Sequence, residues 1–202
     1  FAEPHPHYQV PAPYFDMFPI ESLPAIQTKA VYKDERHTWL YNQWKEVYGD
    51  EIDVITARSR SNYYGMLRLI DDQFKRFIMG LEERKLCDHT IIIYMSDHGD
   101  YAGEYGLMRK GVDLSESLVH IPMIWKIPNG LAKGSCSDVM VNCVDVLPTL
   151  CDLLQYPVPI GVQGKSLLPI LKGGVFDSTN YEVAYAEAGY GGDYWNKSDL
   201  IT

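Results

Sequence analysis

The sequence lacks any uninterrupted apolar run of the length that crosses a bilayer, about 20 residues. We therefore expect no membrane-spanning segment. Residues 1–6 also lack the basic start and the apolar stretch of a signal peptide. Because the chain opens within a stretch rich in proline, histidine and tyrosine, we expect it to have been cut from a longer protein. The cellular compartment is left undetermined.

Positive charge is scarce. The chain has 18 Lys and Arg against 27 Asp and Glu, a net charge of −9. A broad nucleic-acid surface needs clustered cations, so no nucleic-acid partner is expected. An anionic substrate stays open, because a metal ion and one or two local cations can dominate the field of a pocket.

Cysteine is also sparse, with four residues at 87, 136, 143 and 151. They form no Cys-x-x-Cys pair and no zinc-type spacing. Cys143 and Cys151 fall in an apolar helical pattern, where free cysteine behaves as a small buried hydrophobe. In a chain of 202 residues, long enough for one good-sized domain, we expect no disulfide framework.

The order of apolar patterns predicts an α/β domain with a mostly parallel or mixed sheet flanked by helices. From the amino end we expect a Pro/aromatic loop over 1–24, helices over 37–48 and 58–85, strands over 90–95 and 121–125, helices over 143–154 and 167–171, and a last strand over 182–186. The expected apolar faces are Trp39, Leu40, Trp44 and Val47 in the first helix, Tyr64, Leu67, Ile70, Phe74, Phe77, Ile78 and Leu81 in the second, and Val144, Leu147, Leu150, Cys151 and Leu154 in the third. Pro148 indicates that the helix over 143–154 has its first turn near Asp145 or is kinked at the proline.

The strand at 90–95 is the most informative element. Its β-branched run is typical of a strand buried on both faces, and it ends at Asp97 and His98, before Gly99. Ligand sites in open α/β sheets lie beyond such strand ends. A carboxylate oxygen and an imidazole nitrogen can hold one divalent ion. The same pair also fits an ordinary turn, with Asp97 as a cap and His98 in solvent.

Six motifs in series resemble the sulfatase family of the alkaline phosphatase superfamily. They are residues 62–73, 96–100, 103–111, 116–124, 144–150 and 164–169, which contain SDHGD, GEYGL, ESLVHIPMI, VDVLPTL and GKSLLP. At the front, residues 3–8 resemble the family's PH-x-P segment. The resemblance implies a single partial alkaline-phosphatase-like domain over 1–202. Its parts are an active-site loop over 1–24, a core motif region over 58–174, and a strand with a tail over 175–202.

The resemblance also implies roles. Asp97 and His98 are expected to bind a divalent metal, with calcium first and manganese or magnesium as alternatives. Lys110 is expected to contact the sulfate or the leaving oxygen, with Arg109 as a rival cation. His5 is expected to face the ester oxygen. The implied substrate is a small-molecule or carbohydrate sulfate ester.

Three positions depart from the family pattern, and one motif is missing. Tyr105 replaces a histidine, His120 stands where arginine is frequent, and His7 stands where proline is usual. The Cys/Ser-x-Pro-x-Arg motif, whose Cys or Ser becomes the formylglycine nucleophile in the family, is absent, as is the early metal-binding aspartate pair. The adjacent carboxylates at 71 and 72 fall on a predicted helix face and are not assigned that role. We expect this segment alone to be inactive.

Alternative interpretations stay open. His98 is also similar to the phosphonate and phosphodiester hydrolase branch of the superfamily. A degenerate module that keeps the fold without catalysis is a further reading, and it predicts no metal at Asp97 and His98. We also expect self-association through surface that a missing half normally covers. Candidate substrate loops are the front segment and residues 190–195.

Overall fold

The computed structural model describes residues 3–26, 35–111, 113–128, 134–173 and 175–187. Within these ranges the helices are α1 (Glu35–Tyr48), α2 (Ile52–Glu83), α3 (Glu116–Val119), α4 (Val146–Leu154) and α5 (Leu168–Leu171), and the strands are β1 (Ile92–Met95) and β2 (Met123–Lys126). Short 3₁₀ turns join them at Tyr14–Asp16, Ile20–Ser22, Gly49–Glu51, Cys87–His89, Glu104–Gly106, Cys143–Asp145 and Ser178–Tyr181. No helix among these residues is both long and apolar enough to cross a membrane.

The chain forms two compact units. Of the described residues, those up to Glu83 and His98–His120 form the first unit, and Arg84–Asp97 with Ile121–Glu187 form the second. Asp97 belongs to the second unit and His98 to the first.

The long helix α2 confirms the predicted helix, although it begins at Ile52 rather than at 58. Its buried face is only partly the predicted apolar one. Ile70 is buried, whereas Phe77 is 54% exposed. Polar residues share the buried face because they bind the Pro/aromatic segment: Arg60 donates to the Pro24 carbonyl at 2.6 Å, and Ser61 Oγ donates to the Phe18 carbonyl at 2.6 Å.

Gly65 explains how that segment approaches α2 so closely. A Cβ at this position would lie 2.5 Å from the Tyr14 carbonyl oxygen, closer than any side chain tolerates. Next to it, the Arg58 guanidinium lies 3.6 Å from the centre of the Phe15 ring. The predicted Pro/aromatic loop is therefore an ordered segment packed along α2.

The core of the first unit joins α1 to the loop that follows His98. It contains Leu40, Trp44, Ile52, Tyr101, Tyr105, Leu107 and Leu118. On α1, Leu40 and Trp44 are buried as predicted. Trp39 and Val47 are exposed, so the predicted apolar face is broader than the buried one.

The predicted sheet is wrong in two respects. β1 pairs with β2 in an antiparallel ladder, with Ile92 opposite Lys126 and Met95 opposite Met123, and these strands form the whole sheet in the described part of the chain. β1 is also not buried on both faces, since only Ile92 is buried. A β-branched apolar run indicates a strand that can be buried, but it does not encode the direction of pairing.

Two further predictions in the second unit are wrong. Residues 182–186 form no strand. The predicted apolar face of the helix over 143–154 is largely exposed, at Val144, Leu147 and Leu154, while Pro148 and Thr149 are buried. Cys143 is exposed, Cys151 is half-buried, and all four cysteines are free. The proline is correctly placed: α4 begins at Val146, so Pro148 lies in its first turn.

Polar contacts explain why the small and polar face of α4 is the buried one. Asp145 accepts a hydrogen bond from the Lys165 backbone N–H at 2.7 Å. Thr149 Oγ1 accepts one from the Leu167 N–H at 2.8 Å and donates to the Asp145 carbonyl at 2.5 Å. A Cβ at Gly164 would lie 2.0 Å from the Val144 carbonyl oxygen, so only glycine fits there. The motif over 144–150 and the motif over 164–169 therefore contact each other.

Candidate active site

His98 and Lys110 are in direct contact. Lys110 Nζ lies 2.9 Å from His98 Nε2, and His98 Nδ1 lies 2.8 Å from the Gly99 carbonyl oxygen. An ammonium group has only donors, so Nε2 must accept and the ring proton must sit on Nδ1, where it donates to the carbonyl. This tautomer is the one that metal-binding histidines use, because it leaves a lone pair on the outer nitrogen.

Gly99 fixes the direction in which the chain leaves His98. Its N–H donates to the Leu118 carbonyl at 2.8 Å, and a Cβ at Gly99 would lie 2.0 Å from the Ser117 carbonyl oxygen. The glycine after His98 is therefore required by the close approach of α3. The SDHG motif and the ESLV motif, separate in the sequence, form one local structure.

The loop over 99–111 folds back on itself and carries Lys110 at its end. The Tyr101 N–H donates to the Arg109 carbonyl at 2.8 Å, and the Gly103 N–H donates to the Leu107 carbonyl at 2.8 Å. Tyr101 and Leu107 are completely buried, which anchors the loop in the core. Lys110 itself is exposed.

Tyr105 lies inside the core rather than toward solvent. Its side chain is buried and stands 5.1 Å from the His37 ring and 6.2 Å from the Tyr101 ring, centre to centre. Its φ is +57°, a value that costs energy for a side chain of this size. The sequence leaves a substrate contact from this position in doubt, and a core role accounts for the tyrosine.

Tyr8 connects the front motif to the lysine loop. Its hydroxyl donates to the Asp100 carboxylate at 2.9 Å and accepts from the Arg109 N–H at 2.8 Å. Burial first, and then the charge of Asp100, raise the pKa of Tyr8. Burial also raises the pKa of Asp100, against hydrogen bonds from Ala102 and Tyr8 that lower it. The hydroxyl therefore stays protonated and keeps donating at neutral pH.

His5 lies three residues before Tyr8, in the same unit as His98 and Lys110. It is exposed, and its Nδ1 lies 2.6 Å from the Pro6 carbonyl oxygen. Asp97 is exposed in the second unit, with Oδ1 3.4 Å from Ser96 Oγ. Of the predicted site residues, the structure thus brings His98 and Lys110 into contact and fastens the His5 segment to their loop.

A buried pair beneath the lysine loop was missed by the sequence analysis. His37 Nε2 lies 3.2 Å from an Asp113 carboxylate oxygen, with both side chains at or below 10% exposure. The Tyr101 hydroxyl donates to the same carboxylate, and burial followed by this bond raises the pKa of Tyr101. The available signal was spacing: positions 37, 40, 41 and 44 share one face of α1.

The donor set fits a divalent metal only in part. His98 presents the correct nitrogen, and Asp97 supplies a hard oxygen next to it in sequence. Within the described residues, however, no group of three or more His, Cys, Asp or Glu side chains is placed to hold a metal ion. The metal role of Asp97 and His98 therefore stays a prediction.

A family model described as Sulfatase matches residues 1–156, which is most of the chain. The chain belongs to the sulfatase family. It is 29% identical over 204 residues to an arylsulfatase of Clostridium perfringens (strain 13 / Type A), covering 96% of this chain and 40% of the relative. It is 28% identical over 200 residues to the multifunctional alkaline phosphatase superfamily protein PehA of Trinickia caryophylli, covering 92% and 39%.

Solved structures are also similar to this chain. The phosphonate monoester hydrolase of Agrobacterium radiobacter superposes with a TM-score of 0.74 at 25% identity, over 88% of this chain and 38% of that one. The fold is therefore part of the alkaline-phosphatase-like fold, as the motifs predicted. The chain spans about two fifths of the length of these relatives.

Proposed function

We propose that this chain forms the later part of an enzyme that hydrolyses sulfate esters. The observation that carries the proposal is the contact of Lys110 Nζ with His98 Nε2, with the ring turned by Gly99. A cationic group and the outer imidazole nitrogen are thereby held at one point, where a metal ion would take the place of the lysine contact. Sulfate transfer requires such a point, because charge must be neutralised on the nonbridging oxygens while sulfur is attacked in line.

Each residue has one role in the proposal. Lys110 stabilises negative charge on the sulfate oxygens or on the leaving oxygen. His5 hydrogen-bonds the ester oxygen or protonates the leaving group. Asp97 and His98 hold a divalent cation, which when bound supplies Lewis-acid stabilisation of the sulfate oxygens. Calcium is our first expectation, and magnesium and manganese are alternatives. Manganese is among them because an imidazole nitrogen suits it better than calcium.

Calorimetric titration with calcium and with manganese tests the metal assignment. We expect weak binding to the wild type and none to Asp97→Ala or His98→Ala. Asp71→Ala is the matched control, because Asp71 is an exposed carboxylate on α2 and should leave binding unchanged. Titrations that are equally flat for all four proteins contradict the metal assignment and favour the non-catalytic module.

The segment alone should not turn over, because it lacks the nucleophile motif and part of the metal set. Purified chain with calcium or manganese is expected to release no phenol from phenyl sulfate. Metal-dependent cleavage that disappears in Lys110→Ala would contradict this expectation.

A phosphonate or phosphodiester hydrolase is the second candidate. It is supported by the TM-score of 0.74 with a phosphonate monoester hydrolase and by the similarity to PehA. Binding of phenyl sulfate and of phenyl phosphonate to the same protein separates the two. The sulfatase proposal predicts tighter binding of phenyl sulfate, and the reverse order favours the second candidate.

A further inference from the structure

Three residues of the loop over 99–111 have backbone angles that are unfavourable for their side chains. Ala102, Tyr105 and Arg109 have φ values of +44°, +57° and +65°, in the left-handed region that glycine occupies more readily. A residue persists in this region only where its surroundings hold it there. Arg109 matters most for the proposed function, because it directly precedes Lys110 and sets the direction in which the chain enters the lysine.

Two hydrogen bonds hold the backbone at Arg109. Its carbonyl accepts from the Tyr101 N–H at 2.8 Å, and its N–H donates to Tyr8 Oη at 2.8 Å. The first bond lies within the loop. The second comes from a residue 101 positions earlier in the chain. Tyr8 therefore fastens the left-handed turn at Arg109 to a different segment of the first unit.

Tyr8 is itself fixed at both ends. Its carbonyl accepts from Asn62 Nδ2 at 2.8 Å, and its ring meets the Tyr63 ring edge to face, with centres 6.2 Å apart. Both of these partners lie on α2. At the other end, the single hydroxyl proton is donated to the Asp100 carboxylate at 2.9 Å. The hydroxyl oxygen is left as an acceptor, and its acceptor site is directed at the Arg109 N–H.

We propose that Tyr8 is a positioning residue for Lys110. By accepting from the Arg109 N–H, its hydroxyl keeps Arg109 in the left-handed conformation. This conformation directs Lys110 to its place 2.9 Å from His98 Nε2. Since Tyr8 stands three residues after His5, the same hydroxyl also joins the two segments that carry the predicted catalytic residues. The chemical importance of Lys110 rests on the proposed function, whereas the control of its position by Tyr8 does not.

Removal of the hydroxyl alone tests the proposal. In protein without added metal, we expect an NOE between the ε protons of Lys110 and the His98 ring. Tyr8→Phe should weaken this NOE about fivefold, the change in population that one lost hydrogen bond produces. Tyr14→Phe is the matched control and should keep the wild-type NOE, because the Tyr14 hydroxyl donates to Asp72 on α2 rather than to the loop. An unchanged NOE in Tyr8→Phe overturns the proposal.

A rescue variant tests whether Tyr8 acts through the backbone at Arg109. Asparagine is enriched several-fold over most residues in the left-handed region. Tyr8→Phe/Arg109→Asn should therefore recover about half or more of the lost NOE, measured against Arg109→Asn alone to account for the missing guanidinium. Absence of recovery, or a Tyr8→Phe variant that does not fold, overturns the proposal. Either result would mean that the hydroxyl stabilises the first unit as a whole.

Binding of phenyl sulfate separates this inference from the proposed function. If Lys110 contacts the sulfate, Lys110→Ala and Tyr8→Phe should each weaken binding. Because Tyr8 acts through Lys110, Tyr8→Phe/Lys110→Ala should bind no more weakly than Lys110→Ala alone, and losses that add overturn the positioning role. If Lys110→Ala binds phenyl sulfate as tightly as the wild type does, the proposed function fails, while the NOE still decides the role of Tyr8.

Discussion

The loop over 99–111 and the helix α4 both contain segments that resemble family motifs, yet they are packed in opposite ways. In the loop, the apolar residues Tyr101 and Leu107 are fully buried and the charged Lys110 is exposed. In α4, Thr149 is fully buried, whereas Leu147 and Leu154 are about half exposed, at 49% and 53%. The loop is held by a core, and α4 is held by hydrogen bonds from its polar motif residues.

This difference separates two uses of a motif. In the first unit the motif residues bring chemical groups together, as at His98 and Lys110. In the second unit, Asp145 and Thr149 bind backbone N–H groups of the next motif and fix the path of the chain. A residue in a motif can therefore have a structural role as readily as a chemical one, and only its contacts distinguish the two.

The largest expected effect on stability comes from truncating Leu107 in the loop, compared with the same truncation of Leu147 on α4. Leu107→Ala removes a fully buried side chain, so we expect a loss of about 2–5 kcal/mol in the free energy of unfolding. Leu147→Ala, the matched truncation on α4, should cost about 1 kcal/mol or less. Urea denaturation followed by tryptophan fluorescence measures both. Similar losses of unfolding free energy in the two variants would contradict the contrast between the buried loop and the exposed apolar face of α4.

The hydroxyl of Thr149 should matter more than the exposed leucines beside it. Thr149→Val keeps the shape but leaves the Leu167 N–H without its acceptor, at a cost of about 1–3 kcal/mol. Thr149→Ser keeps the hydroxyl and serves as the control. Thermal and urea unfolding compare the variants, and a valine variant as stable as the serine one would show that this hydrogen bond does not hold α4.

The exposed apolar face of α4 gives the next effect. If it mediates the expected self-association, Leu147→Glu should weaken any dimer at least tenfold, because it places a charge on the contact. Val54→Glu, on an exposed position of α2, should leave association unchanged. Sedimentation velocity over a range of concentrations measures this, and a wild type that stays monomeric at high concentration contradicts the expectation.

The smallest effect concerns an exposed contact of the first unit. Asp72 accepts hydrogen bonds from Arg68 and Tyr14, and these bonds, Arg68 first, lower the pKa of Asp72 below 3.8. A lowered pKa contributes stability above the unfolded value, and that contribution is lost as the pH falls through the folded value. Asp72→Asn should therefore be slightly less stable than the wild type at pH 7, with a smaller difference at pH 3.

Unfolding curves for both proteins at the two pH values test this last prediction. Asp71→Asn, the neighbouring exposed carboxylate, is the control and should show no such pH-dependent difference. A gap between wild type and Asp72→Asn that grows as the pH falls would contradict the assigned cause.

Local patterns in the sequence predicted the helices well, because amphipathic spacing over a segment as long as α2 is a strong signal. The resemblance to the family, rather than local patterns alone, indicated Asp97, His98 and Lys110 as site residues, and the contact of His98 with Lys110 is consistent with that. The roles of these three residues and of His5 stay predictions.

What the sequence did not predict depends on contacts between distant residues. The antiparallel pairing of β1 with β2 is not encoded in either apolar run alone. The exposed face of α4 has the same periodicity that a buried face has, so burial depends on what packs there. The His37–Asp113 pair joins residues 76 positions apart. Helical spacing places His37 on the face of α1 that carries Leu40 and Trp44, but it does not indicate Asp113 as the partner.

The His98 imidazole offers the most direct test of our central proposal, which is that its outer nitrogen, now in contact with Lys110, binds a divalent cation together with Asp97. Long-range ¹H–¹⁵N spectra report the tautomer, and substoichiometric manganese broadens the resonances of the groups that bind it. We predict a proton on Nδ1, and broadening of His98 before the other five histidines in the wild type but not in Asp97→Ala. A proton on Nε2, or His98 broadening that is the same in both proteins, would contradict the claim.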